Sequence, residues 1–394
     1  AGLFFWPCSA LSISAEDPSG GALSFAWKAN TGTLGAPVQT GDTSTVQWTA
    51  LSCVPAGVKP TIEVTVTNSG GLGVRLRYEV SWSGPACGHP ECEARLDQEL
   101  NTVEDACTTD TTVFIPDGFT LDGAGRVLTA VDPVGGTFLG AILRNRGETA
   151  HMRNVKVRAQ GLLTDGPCAE GDARLAGIRL LGASGSVMDS EVSGIFRNKP
   201  VAENPAGVPW GCQEGFAIEV RNPGASVARQ VELLRNTASG YQKAGLLLSG
   251  RVEAIVAGNT VTGAGPVAHI AQNGLQLSDG ATGQVTGNQL SGHAYTGGGD
   301  TASGILVAGG PVFGIALVQD ATLEGNTLTG NDVGINLYQA EANGRGPVTP
   351  TRIRVRDNTL RSDAVTNPVY QAGISDLGTG NLISSNTDMG QGYD

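Results

Sequence analysis

Residues 244–263 read AGLLLSGRVEAIVAGNTVTG, and two units within this stretch return along the chain. The first is the strand-like AGLLL. Its counterparts are AGIRL, FAIEV, NGLQL, SGILV, VGINL and AGISD, so that the leading aliphatic residues are Ile178, Ile218, Leu246, Leu275, Ile305, Ile335 and Ile374. From Ile218 onward they are 28, 29, 30, 30 and 39 residues apart. The second unit, GNTVTG, returns as RNTASG, GNQLSG, GNTLTG, DNTLRS and SNTDMG, carrying Asn236, Asn259, Asn288, Asn326, Asn358 and Asn386. The two units keep their order throughout, so one turn of a coil holds at least two strands and a sharp asparagine corner.

A helical solenoid needs apolar residues at i, i+3 and i+4 over ten or more positions, whereas these segments are strands of about four to six residues. No single rung can bury its own apolar side chains. Stacking rungs at roughly 4.8 Å pairs each backbone group with the rung above and below. Asparagine tolerates the left-handed conformation, which suits a tight corner, and stacked amides form a hydrogen-bonded ladder. The expectation is an all-β chain whose residues 109–394 form a parallel β-helix.

Composition agrees. Of 394 residues 58 are glycine, 16% are charged, 5% are aromatic and 40% are apolar, which describes a folded chain of many turns with a core of small aliphatic side chains. Glycine follows no Gly-X-Y period, which excludes collagen. The net charge of −12 comes without a dense basic stretch, so a nucleic-acid partner is not expected. No apolar run reaches the ~18 residues that span a bilayer, and the opening AGLFFWPC lacks the charged first region of a signal peptide. The seven cysteines, at 8, 53, 87, 92, 107, 168 and 212, include no CxxC pair. They read as disulfides of an exported protein, extracellular or on the cell surface.

Residues 1–84 have a different grammar. LSISAED, LSFAWKA, STVQWTA, TIEVTVTN and VRLRYEVSW alternate as strands between turn clusters such as DPSGG and NSGG, which predicts a small antiparallel sandwich. Asp17-Pro18 before a strand ending at Trp27, then VQWTA and TIEVTVTNSGG, resemble Ig-like domains of the polycystic-kidney-disease type, although the WDFGDG turn of that type is missing. Cys8 and Cys53 both fall here and are expected to clamp its sheets. Residues 85–108 read as a cysteine-containing linker, in which Cys87, Cys92 and Cys107 leave one disulfide and one extra thiol; zinc held by these three with His89 is the alternative. Cys168 and Cys212 precede their rungs' strands on the same side of the coil and are expected to bridge neighbouring rungs.

The coil resembles right-handed parallel β-helix proteins of the pectate-lyase-like kind. The resemblance rests on VFIPDGFTLDGAGRVLTAVD at 113–132, which looks like an entry coil, and on GNTVTG and NGLQLS. It implies right-handedness and a long groove for an extracellular polysaccharide. It implies no cofactor beyond the calcium that lyases of this kind hold on acidic strand residues, and no aspartate cluster is found here.

Polar residues gather just before the repeated strands. Lys243 and Gln272 share a column, with Glu214, Tyr241, Gln242, His269 and Asn273 close by, and GHAYTGGGD supplies His293, Tyr295 and Asp300 one rung on. Glu219 and Gln276 lie in the outward column at the strand centre. A uronate lyase needs a base of depressed pKa and a group that neutralises enolate charge. The expected base is Lys243 or His269, the acid Tyr241 or Tyr295, and the neutraliser Gln272 or Asn273. The expected catalytic set is Lys243, His269, His293, Tyr295 and Asp300, with Glu219, Tyr241, Gln272, Asn273 and Gln276 binding substrate. For a hydrolase the available carboxylates are Glu214, Glu219, Asp279, Asp300 and Asp332, without a paired motif. The rival expectation is a non-catalytic surface or adhesion protein with the coil as a stiff rod.

Overall fold

The structure, a computed structural model, describes residues 8–30, 32–50, 54–55, 60–81, 86–87, 92, 100–103, 105–164, 166–201, 204–209 and 211–393. Contacts divide the chain into two compact units, Ala1–Pro90 and Glu91–Asp394.

In the first unit, two antiparallel sheets form. One sets Thr43–Thr49 between Cys8–Ser14 and Thr33–Leu34, with Val38–Thr40 also on it; the other orders Leu23–Ala29, Thr61–Asn68 and Gly73–Glu79. Alternation decides which residues face inward: in Thr43–Thr49, Val46 and Trp48 are buried while Gln47 and Thr49 are exposed. Ile13 of one sheet packs with Val64 and Val66 of the other, and Trp48 with Ile62 and Val80. The expected Cys8–Cys53 bridge and the His89 zinc ligand lie outside the described residues.

The second unit is a stack of rungs of three strands each, as in Ala244–Gly250, Val252–Ala257 and Thr260–Thr262. The strands build three parallel sheets: a first of ten from Leu100–Thr102 to Leu382–Ser384, a second of ten from Cys107–Thr109 to Thr387–Met389, and a third of nine from Val113–Ile115 to Ala372–Asp376. This is a parallel β-helix, and its described strands begin at Leu100, inside the stretch read as a linker. Ile178, Ile218, Leu246, Leu275, Ile305, Ile335 and Ile374 pair in one unbroken register, and all but the last are fully buried. Each such apolar column is continuous because a one-residue slip would turn it to solvent.

The asparagine corner joins the first sheet to the second. Oδ1 of Asn259 accepts the backbone N–H and Nδ2 of Asn236, and the pattern repeats through Asn288, Asn326 and Asn358 to Asn386, with bonds of 2.9–3.0 Å. The left-handed residue of this corner is the one before the asparagine: Gly258, Gly287 and Gly325, or Arg235, Asp357 and Ser385. The asparagines are there for the ladder, and the expectation that they supply the left-handed turn is corrected.

Cys168 and Cys212 are joined by a disulfide, as expected, and Cys92 pairs with Cys107. The second bond removes two thiolates from the zinc alternative. Among the described residues no group of three or more His, Cys, Asp or Glu side chains is placed to hold a metal ion, and no helix is long and apolar enough to cross a membrane.

Candidate functional site

The sequence-predicted cluster falls at the corner that leads from the second sheet to the third. Here the loops are long and irregular, and their backbone polar groups need partners once rungs stack over them. Much of the cluster meets that need. Tyr241 and His293 are buried, with the phenol 2.5 Å from Nε2 of His293; the other ring nitrogen, Nδ1, is 2.6 Å from Oδ1 of Asn331. An amide oxygen only accepts, so Nδ1 carries the proton, Nε2 accepts, and the Tyr241 hydroxyl donates. The Asn331 amide is oriented by Nδ2, which donates to the Leu290 carbonyl at 3.2 Å. Burial drives the His293 imidazole down to about 4, against the hydrogen bond to Asn331, and drives the Tyr241 phenol well above its usual value.

The amides are consumed in the same way. Gln272 accepts from the Ala264 N–H at 2.8 Å and donates to the carbonyls of Tyr241 and Gln242 at 2.7 and 3.2 Å. Gln242 accepts from the Arg197 N–H and donates to the Cys212 carbonyl. Asp332 is fully buried and accepts from Tyr295 N, Ala302 N, Asn367 Nδ2 and Thr366 Oγ1 at 2.9–3.0 Å. Glu214 and Arg197 form a buried ion pair of 3.3 Å. Four of the expected site residues are thus engaged within the fold. His293 has no open face for catalysis, Tyr241 and Gln272 are spent holding the corner, and Glu219 is buried under Arg174 and Arg179.

What remains open is scattered. Lys243 is half-buried, and Nζ donates to the Ala271 carbonyl at 2.7 Å. Burial lowers its amine to about 8, opposed by the charge of Asp300. His269 is exposed on the rim of a pocket of about 170 Å³ shared with Phe196, Arg197, Tyr241 and Gln272, and what burial it has lowers its imidazole. Asp300 is exposed, and its backbone carbonyl accepts from Asn367 Nδ2 at 3.0 Å. Tyr295 is half-buried with its N–H on Asp332. Asn273 is buried and donates to Gln276, which stands half-open on the outer face of the third sheet. No hydrogen bond joins any two of Lys243, His269, Tyr295 and Asp300 among the described residues.

The structure also shows a site that the sequence did not suggest. A groove of about 420 Å³ crosses five neighbouring strands on the outer face of the first sheet, lined among others by Thr149, His151, Gln230, Glu232, Glu253 and Gln284. His151, Ser186, Glu232, Ile255 and Gln284 form one outward column by register. His151 Nδ1 lies 2.9 Å from Ser186 Oγ, and Gln230 donates to Glu253 at 2.8 Å. The half-buried Glu232 carboxylate has no partner among the described residues. Gly185 and Gly283 also border the groove: both hold positive φ, of 144° and 138°, and a Cβ on either would strike the carbonyl of the preceding rung. The column changes residue type at every rung, so it carried no repeat to notice.

Comparison of the chain with protein-family models, curated proteins and solved structures found no match.

Proposed function

We propose that this is an exported glycan-recognition protein whose second unit binds an extracellular polysaccharide along the first-sheet groove without cutting it. The observation that carries this reading is the groove itself. Its floor presents imidazole, amide, carboxylate and hydroxyl groups on five strands at steps of about 4.8 Å, a periodic set of donors and acceptors suited to the repeated hydroxyls of a polymer. The non-catalytic part rests on the consumption of His293, Tyr241 and Gln272 inside the corner. The likeness of the coil to right-handed, pectate-lyase-like β-helices and of the first unit to Ig-like spacers belongs to the same proposal. The paired cysteines fit an oxidising, extracellular setting.

One observation favours a second reading. Glu232 and Glu253 line the same groove, and a glycoside hydrolase works with two carboxylates about 5–9.5 Å apart. A panel of neutral and acidic polysaccharides separates the readings, scored by calorimetric binding, absorbance at 235 nm and reducing-end release. Binding that falls about fivefold in Glu232→Ala, with silence in both product assays, is the expected result. Reducing ends that vanish in Glu232→Gln would establish the hydrolase instead, and absence of binding to every polymer would leave the rod.

A further inference from the structure

The outer face of the third sheet gathers arginines at its early rungs. Arg144, Arg179 and Glu219 occupy one outward column on three successive strands, Arg221 lies at the end of the same strand as Glu219, and Arg174 comes from the loop before the second of them. Glu219 is shared by three guanidinium groups: Nε of Arg179, Nη2 of Arg174 at 3.0 Å and Nε of Arg221 at 3.7 Å. Asp172 is shared by two, Arg144 at 3.1 Å and Arg221 at 3.8 Å. Four positive charges thus face two negative ones, in a chain of net charge −12.

The compensation is uneven in depth. Arg179 and Glu219 are fully buried, and Arg179 is satisfied further by the carbonyls of Asp172 and Arg174, both at 2.7 Å. Arg144, Arg174 and Arg221 keep between a fifth and a quarter of their side chains in solvent, where the surplus charge is presented. Arg174 is lowered by burial and, after the opposing pull of Glu219, by the charges of Arg221 and Arg179. Asp172, about half exposed on the short turn Gly171–Ala173, is the carboxylate that pairs with Arg144 and Arg221 on this open side.

We propose that this arginine cluster is a binding site for a tetrahedral oxyanion, a sulfate or phosphate group, with Asp172 occupying part of the place the ligand takes. The surplus of two charges matches a dianion. Guanidinium groups reach it from Arg144 on one strand, Arg221 on another and Arg174 on a loop. Converging donors of that kind suit an anion with oxygens in several directions better than a planar carboxylate, which a single arginine forks. The site is separate from the first-sheet groove and stands or falls independently of it.

The test is titration of the full chain at low ionic strength with inorganic sulfate, inorganic phosphate, dextran sulfate and polygalacturonate. Saturable binding of sulfate or phosphate is expected, weakening as salt screens it. Asp172→Asn removes a competitor without touching the backbone carbonyl that Arg179 uses, and should tighten binding about fivefold; Arg221→Gln should weaken it about tenfold. Tighter dextran sulfate than free sulfate would identify an ester on a polymer as the source, and the reverse a free ion. No binding of either ion, polygalacturonate equal to dextran sulfate, or binding indifferent to Asp172→Asn and Arg221→Gln would overturn the proposal.

Discussion

Two corners of this coil bury polar side chains, and they do so by different means. At the corner between the first and second sheets one residue type repeats, and each asparagine serves its neighbour by the same two bonds. Between the second and third sheets the loops differ in length from rung to rung. The buried groups differ with them: Gln242, Gln272, the Tyr241–His293–Asn331 relay and Asp332. A regular corner can be closed by a ladder, whereas an irregular one must be closed by whichever side chain reaches the stray donors and acceptors. The second kind has the composition of an active site without its accessibility.

The largest expected effect breaks the ladder at its centre. Asn288→Ala takes the acceptor from two buried donors, Asn259 N and one Nδ2 hydrogen of Asn259, while Asn326 Oδ1 keeps the backbone N–H of residue 288. With a cost of 1–3 kcal/mol for each buried donor left unpaired, unfolding should become easier by about 4 kcal/mol, read from the urea midpoint. A loss below about 1 kcal/mol would mean that water replaces the ladder, and that repetition there is not structural.

The relay makes the second corner sensitive to pH. His293 is neutral in the fold because burial lowers it to about 4, while the unfolded chain takes up its proton near 6.5. Below 6.5 the unfolded state therefore binds more protons, and stability is lost as the pH falls from about 6.5 to about 4, by as much as about 3 kcal/mol. Urea midpoints at pH 7 and pH 4.5 should differ accordingly, and His293→Gln should reduce that difference. A variant with the same acid dependence as the parent would show that His293 is already solvated and open.

A smaller effect is expected at Asp332. In Asp332→Asn the amide can turn its NH2 toward the Thr366 hydroxyl, which is able to accept, and keep its oxygen for Tyr295 N, Ala302 N and Asn367 Nδ2. The loss is then about 1–2 kcal/mol, that of weakened charge-assisted bonds. Faster proteolysis in the 296–301 and 363–371 loops should accompany it. An unchanged cleavage pattern would show that these loops are held by something other than the carboxylate.

The legible part of this molecule was whatever repeats. Ile218, Leu246 and Leu275 gave the rung because each occupies the same inward position, and Asn259, Asn288 and Asn326 gave the corner. Cys168 and Cys212 were readable as a pair because both stand at the same phase of adjoining rungs. The first-sheet strand of each rung passed unnoticed, since segments such as Val252–Ala257 fall between the two recurring units and change residue type from rung to rung. The left-handed residue was hidden by its variety: glycine, arginine, aspartate and serine all serve. The site was harder still. Position along the chain does not separate a histidine turned inward, His293, from one on a rim, His269; the aligned strands place Arg179 and Glu219 in one column, whereas Arg144, Arg174 and Arg221 join them only in the structure.

Lys243 supplies the finest test of the difference between the two corners, because it is the one predicted base that the irregular corner leaves half open. Its amine is lowered to about 8 by burial, so the charged form costs the fold something that the unfolded chain, near 10.4, does not bear. Between those values the unfolded state binds more protons, and stability should rise as the pH climbs from about 8 to about 10.4. Lys243→Met removes the buried charge together with a single bond, to the Ala271 carbonyl. With the amine still reaching solvent, the net change is within about 1 kcal/mol, and the alkaline rise should disappear. Polysaccharide binding in the first-sheet groove should not move. If Lys243→Met abolished product formation or binding while stability held, the irregular corner would be a working site after all, and the distinction between ladder and chemistry would have to be drawn at Lys243 alone.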